Sequence, residues 1–262
     1  MDPVPSTPEP PPQAPPAPAT SLAGRLLNVF AAPGDVFSQV RNAGVAHANW
    51  LWPAILLTLA GWISAALVFS QPAIRQQMTE LADKSIDQQV EKGRIPSSQA
   101  EKGRPIAEKM AVTMALVAAV AGTPIVAFVT PFWWGLILWL GGKVLHGNIP
   151  FLKTVEVAGL ANMVLVLDTV VRTLLILVTG NVFASPSLAL AVKDFDPQNS
   201  LHGLCALVNV MVFWVLSVRS IGLASLGGAS VGKAASWVFG VWIAYTGTLF
   251  GLGLAWRAIF MH

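Results

Sequence analysis

The sequence predicts an all-α, polytopic membrane helix bundle with five transmembrane helices and short interfacial amphipathic helices. Three observations carry this. The 262 residues are 54% hydrophobic and only 11% charged, with a mean hydropathy of +0.63, whereas a soluble domain carries roughly 25% charged residues. So few charges cannot cover a water-facing surface. Five apolar runs are long enough to cross a hydrocarbon core of ~30 Å. Tryptophans cluster near the ends of some of these runs, where an aromatic belt forms.

The chain opens with a Pro-rich stretch, Met1 to Thr20. It lacks the basic and apolar regions of a signal peptide, and its proline density favours a disordered, solvated tail. Ser21 can cap a short helix ending near Pro33, and Asp35 a second one. Leu22, Leu26, Leu27, Val29, Phe30, Val36, Phe37 and Val40 give these pieces apolar faces. Neither is long enough to span, so they are expected on the membrane interface or packed against the bundle. The membrane domain is thus expected over 21–262.

The first span is expected over 50–70, opening with Trp50 and Trp52, with Pro53 in its first turn. The charged stretch 71–109 holds seven Lys/Arg and six Asp/Glu. It reads as an extramembrane loop with one or two amphipathic helices, punctuated by Gly93, Pro96, Gly103 and Pro105. The second span is expected over 110–140. Its 31 apolar residues make about 46 Å of helix, which implies tilt and a kink near Pro124. The third, fourth and fifth spans are expected over 151–179, 203–226 and 234–256. An acidic turn at Asp194 and Asp196 precedes the fourth, which Arg219 interrupts.

Five spans place the termini on opposite sides. Lys143, Lys153, Arg219 and Lys233, with Arg25 and Arg41, lie on the N-terminal side, which favours a cytoplasmic N-terminus by the positive-inside rule. The seven basic residues of the first loop oppose it. The expected location is a cell inner or plasma membrane.

Several patterns mimic chemistry. Gly227 to Lys233 has the spacing of a phosphate-binding loop, but Ala234 stands where the Mg²⁺-binding hydroxyl belongs. Gly228-Ala229-Ser230-Val231-Gly232 has the nucleophile-elbow spacing, but no Asp or Glu follows Ser230, as that triad requires. Both read as a Gly-rich interhelical turn. His47, His146, His202 and His262 sit at span ends or termini and read as interfacial polar caps, without metal-ligand spacing. The single cysteine, Cys205, excludes an intrachain disulfide. No catalytic, cofactor or metal site is read, nucleic-acid binding is not indicated, and the protein is expected not to be an enzyme.

Asp168 and Arg172 are the candidate intramembrane polar pair. They lie four residues apart, on one helix face, within the third span. One reading is a mutually neutralised clasp that fixes how this span faces the others. The other is a polar site for an ion, proton or lipid headgroup in a small transporter or channel. Lys153 and Glu156, near the start of the same span, are expected to snorkel to the interface. Gly61-x-x-x-Ala65 and Gly247-x-x-x-Gly251 are read as helix-packing stripes. The expected partners are the lipid bilayer and either further copies of the chain or other membrane proteins.

The order of Phe30-x-x-Pro33, Phe37, Trp50-x-x-Pro53 and Gly147-x-x-x-Phe151 resembles the Yip1 family of five-span membrane proteins, over about Leu26 to Phe260. The resemblance implies five helices, a cytoplasmic N-terminus and a membrane-organising or trafficking-type scaffold. Its eukaryotic members are linked to vesicle traffic and small GTPases of the Rab type. Tyr245 is the only tyrosine here, and the Tyr/Gly-rich sequence of those members is not found. This argues against Rab-type GTPase binding, and no site residues carry over.

Overall fold

The structure is a computed structural model that describes residues 20–193, 195–197 and 199–260, with 256–260 as backbone only. The Pro-rich tail before residue 20, Asp194 of the acidic turn and His262 lie outside the described residues. Helices dominate: α1 (Leu22–Ala31), α2 (Pro33–Asn42), α3 (Ala48–Ser70), α4 (Pro72–Glu91), α5 (Ser97–Val144), α6 (Phe151–Ala161), α7 (Met163–Thr179), α8 (Ser200–Leu207), α9 (Val210–Gly227) and α10 (Val231–Phe260). Five units are long and apolar enough to cross a membrane: α3, α5, α6 with α7, α9 and α10. No strand forms among the described residues.

The two short N-terminal helices do not merely rest on a surface. Val29, Val36, Phe37 and Val40 are buried in the main core, beside Val157, Leu160, Val218 and Leu223. The cap at Ser21 forms as its motif predicts, its hydroxyl accepting from Gly24 N at 3.1 Å. Pro33 starts α2, where its missing N–H costs nothing. Arg41 then donates to the Ser225 carbonyl at 3.0 Å, near the C-terminal end of α9, where a cation is favoured. Leu27 remains 67% exposed, so an outer apolar edge is left to face lipid.

Three glycines on α6 and α9 let elements approach closely. A Cβ on Gly159 would collide with the Trp50 backbone, and one on Gly222 with Val157 and with Phe37 at 3.2 Å. One on Gly147 would lie 3.2 Å from Gly227 Cα. Phe37, Trp50 and Gly147, three residues of the ordered sequence pattern, therefore each meet a glycine of another segment.

α5 differs most from expectation. It is one unbroken helix of 48 residues, about 72 Å long, or roughly twice a hydrocarbon core. Gly103 and Pro105 do not interrupt it. Pro105 leaves the Glu101 carbonyl without a helical partner, but Glu101 is exposed, where water can satisfy it. The N-terminal part of α5 instead continues out of the membrane segment and pairs with α4 as a hairpin, turning at Gly93 with φ +65°. Arg104 bridges Asp83 at 3.3 Å and also Asp87. The Asp87 contact leads in raising the Arg104 pKa. Ile74 plugs the hairpin base against Val68, Ile176 and Ala184.

Three further boundaries shift for local reasons. α3 begins at Ala48, so Pro53 lies beyond the first turn. The third span breaks at Asn162, which has φ −65° and ψ −11°. The fourth begins at Val210, not Gly203, because Asn209 caps it: its Oδ1 accepts from Met211 N at 2.8 Å and Val212 N at 3.3 Å. Of the two small-residue stripes, Gly61 packs against Thr123 of α5, while Gly247 and Gly251 meet nothing within 4 Å.

Candidate functional site

The polar side chains of the spans gather in three places, and only one of them was singled out by the sequence pattern. Asp168 and Arg172 both lie on α7. Arg172 Nη2 is 3.8 Å from Asp168 Oδ2, a loose ion pair within one helix. The Arg172 side chain is 49% exposed and the Asp168 side chain 18%. Asp168 Oδ1 is buried without a hydrogen-bond partner. Beside them, Thr173 Oγ1 donates to Ser64 Oγ of α3 at 2.7 Å. Arg172, Ser64 and Thr169 line a groove of about 540 Å³ between α3, α5 and α7.

The interhelical clasp lies at Lys153 and Glu156, on α6 near the start of the same span. Both were expected to snorkel; both are buried, at 7% and 1% exposure. Their charges are 3.1 Å apart. Asn49, fully buried on α3, donates to Glu156 Oε2 at 2.5 Å. Lys153 Nζ donates to the carbonyls of Val40 at 2.7 Å and Gly44 at 2.8 Å. Thr154 adds a bond to the Gly135 carbonyl of α5 at 2.8 Å. Buried charges persist when paired and hydrogen-bonded, and here the pairing joins α2, its linker, α3 and α6. Snorkelling fails because the N-terminal helices cover the way out. Their carbonyls, at the end of α2, are what the ammonium bonds instead.

The third place is Arg219. The sequence suggested a charge that interrupts a span near a turn; the structure buries it to 2% exposure in α9. Its guanidinium lies over the Trp134 ring at 4.1 Å, a cation–π contact. Nη2 donates to Asn162 Oδ1 at 2.9 Å, at the break between α6 and α7. No carboxylate lies within ion-pair distance of it among the described residues. The signal that could have found it was in the sequence: one basic residue centred in an apolar segment, with a lone Asn in the neighbouring span.

The Gly-rich turn contains no constellation for nucleotide or acyl chemistry. Gly228 takes φ +65° as the cap of α9, and Ser230 Oγ accepts from Lys233 N at 3.4 Å at the start of α10. Among the described residues, no three His, Cys, Asp or Glu side chains lie together as a metal cage.

The geometry defines a class: a five-span helical integral membrane protein whose two N-terminal helices are folded into the bundle and tied there by a buried lysine–glutamate–asparagine knot. The Yip1 domain model matches residues 27–256, and the chain belongs to the Yip1 family. The match covers both the N-terminal helices and the five spans. No curated protein and no solved structure matches the chain.

Proposed function

We propose that the protein is a non-enzymatic membrane-organising scaffold with its N-terminus in the cytoplasm, in a cell inner or plasma membrane. The carrying observation is α5. It runs unbroken from the α4–α5 hairpin into the bundle, so a partner held on the hairpin is rigidly coupled to the membrane domain. Further support comes from the Lys153–Glu156 charges, which are engaged with each other and with backbone carbonyls. Site-specific photo-crosslinking in cells tests the reading. Probes on exposed hairpin positions should capture one recurrent membrane-protein partner, or a second copy of this chain, more efficiently than probes on α10. Equal, unspecific capture from both surfaces would count against a scaffold.

The Arg172-lined groove favours a second reading, a small transporter or channel using Asp168 and Arg172. Liposomes containing the purified chain separate the two. Ion or solute flux that disappears in Asp168→Asn or Arg172→Leu would replace the scaffold reading.

A further inference from the structure

Arg219 lines a groove of about 570 Å³ between α5, α7, α9 and α10. That volume falls within the usual range of small-molecule sites. Its walls are apolar, formed in part by Val129, Val212, Trp133 and Trp242, and Val129 at 56% exposure and Trp133 at 49% mark its lipid-facing rim. Arg219 stands nine residues after Val210 and eight before Gly227 in α9, about 12 Å of helix from either end. A guanidinium at such depth is costly without an anion, and the described protein residues place no carboxylate beside it.

Two buried donors at this point also lack acceptors. Arg219 Nε and Asn162 Nδ2 have no hydrogen-bond partner, although Arg219 Nη2 and Asn162 Oδ1 are bonded to each other. Buried donors are normally paired, and of these two residues Arg219 lines the groove, a cation whose hydrogen-bonding is left incomplete and which suits an oxyanion.

We propose that this groove binds the carboxylate of a long-chain fatty acid taken from the bilayer, with the headgroup on Arg219 and the alkyl chain between α5, α9 and α10. A carboxylate accepts side-on bonds from a guanidinium edge, and its chain suits the apolar walls. Between oxyanions of the bilayer, the depth of Arg219 selects the carboxylic acid. A phospholipid phosphate stays ionised and anchored at the interface, whereas a carboxyl group crosses hydrocarbon in its neutral form. The site goes beyond the scaffold reading and does not depend on it.

The test is equilibrium binding of radiolabelled palmitate to the full chain in phosphatidylcholine nanodiscs, corrected for partitioning into empty nanodiscs. One saturable site per chain is expected. Arg219→Gln should weaken it by roughly tenfold or more, the loss of one charge-assisted contact, and Arg219→Lys should retain part of it. Val129→Trp fills the exposed rim without touching Arg219, and it should weaken binding even if Arg219→Gln fails to fold. Three results would overturn the proposal: no saturable component, saturable binding unchanged in both Arg219→Gln and Val129→Trp, or complete displacement of palmitate by an equal mole fraction of phosphatidylglycerol.

Discussion

Trp62 of α3 donates its indole N–H to the Val120 carbonyl of α5 at 2.8 Å. Val120 stands four residues before Pro124, which has no N–H to offer it. The indole therefore takes up the carbonyl that the proline leaves free, and the proline-containing helix gains a contact to a neighbour. At the same crossing, Gly61 leaves room for Thr123.

This relationship predicts a coupled effect. Trp62→Phe should destabilise the protein in detergent by about 1–3 kcal/mol, the cost of a carbonyl left unpaired on an apolar, lipid-facing helix surface. In a Pro124→Ala background the helix supplies its own N–H, and Trp62→Phe should cost measurably less. A double-mutant cycle from thermal or denaturant unfolding measures the difference. An additive cycle would mean that the indole does not serve the proline.

The Lys153–Glu156 knot makes the second prediction. Lys153→Met or Glu156→Gln alone leaves a charge buried without its partner and should cost about 3–5 kcal/mol. The double variant should be closer to wild type than either single one. Asp168→Asn and Arg172→Leu should each cost less than the Lys153 and Glu156 single variants, because Arg172 is half exposed and lies seven residues before the end of α7 at Thr179, within snorkelling reach of an interface. Unfolding midpoints in one detergent rank the four variants directly.

Close helix contacts give a graded glycine series. Gly159→Ala should be most damaging, since the obstacle is the Trp50 backbone, and Gly222→Ala less so, since its obstacles are side chains. Gly240→Ala, with nothing within 4 Å, should be neutral or stabilise by about 0.5–1 kcal/mol through helix propensity. Expression level and unfolding midpoint should follow that order.

Beyond its base at Ile74, the hairpin is closed by its own Arg104 contacts. Arg104→Ala removes both contacts to α4 and should speed hydrogen exchange across residues 80–92. Exchange in α6 and α9 should not change. Spread of the effect into those helices would show that hairpin and bundle open as one unit.

Orientation is open to a chemical test. With Cys205 replaced by Ser, single cysteines at Ser230 and Ser98 occupy opposite ends of the bundle. In intact cells an impermeant maleimide should label Ser98→Cys and spare Ser230→Cys. The reverse pattern would place the N-terminus outside.

The class of this protein was legible because hydropathy is local. Each of the five runs declares its own length and apolarity, and a bilayer leaves such runs no alternative to helix. Capping residues such as Ser21 act within one turn and were equally readable. The start of the helix that carries the second span was not. Pro105 ordinarily stops a helix, and only its exposure to solvent and the packing of α4 let α5 run on. The polar sites divide in the same way. Asp168 and Arg172 are neighbours in sequence, so their pairing could be read from spacing. Lys153 and Arg219 could not be placed, because what surrounds them comes from distant segments: Val40, Gly44 and Asn49 for one, Trp134 and Asn162 for the other. The sequence by itself determined that the chain is a five-span helical membrane protein. Tertiary structure alone decided which of its charges are buried, because burial in a bundle depends on which faces meet, and no single helix contains that information.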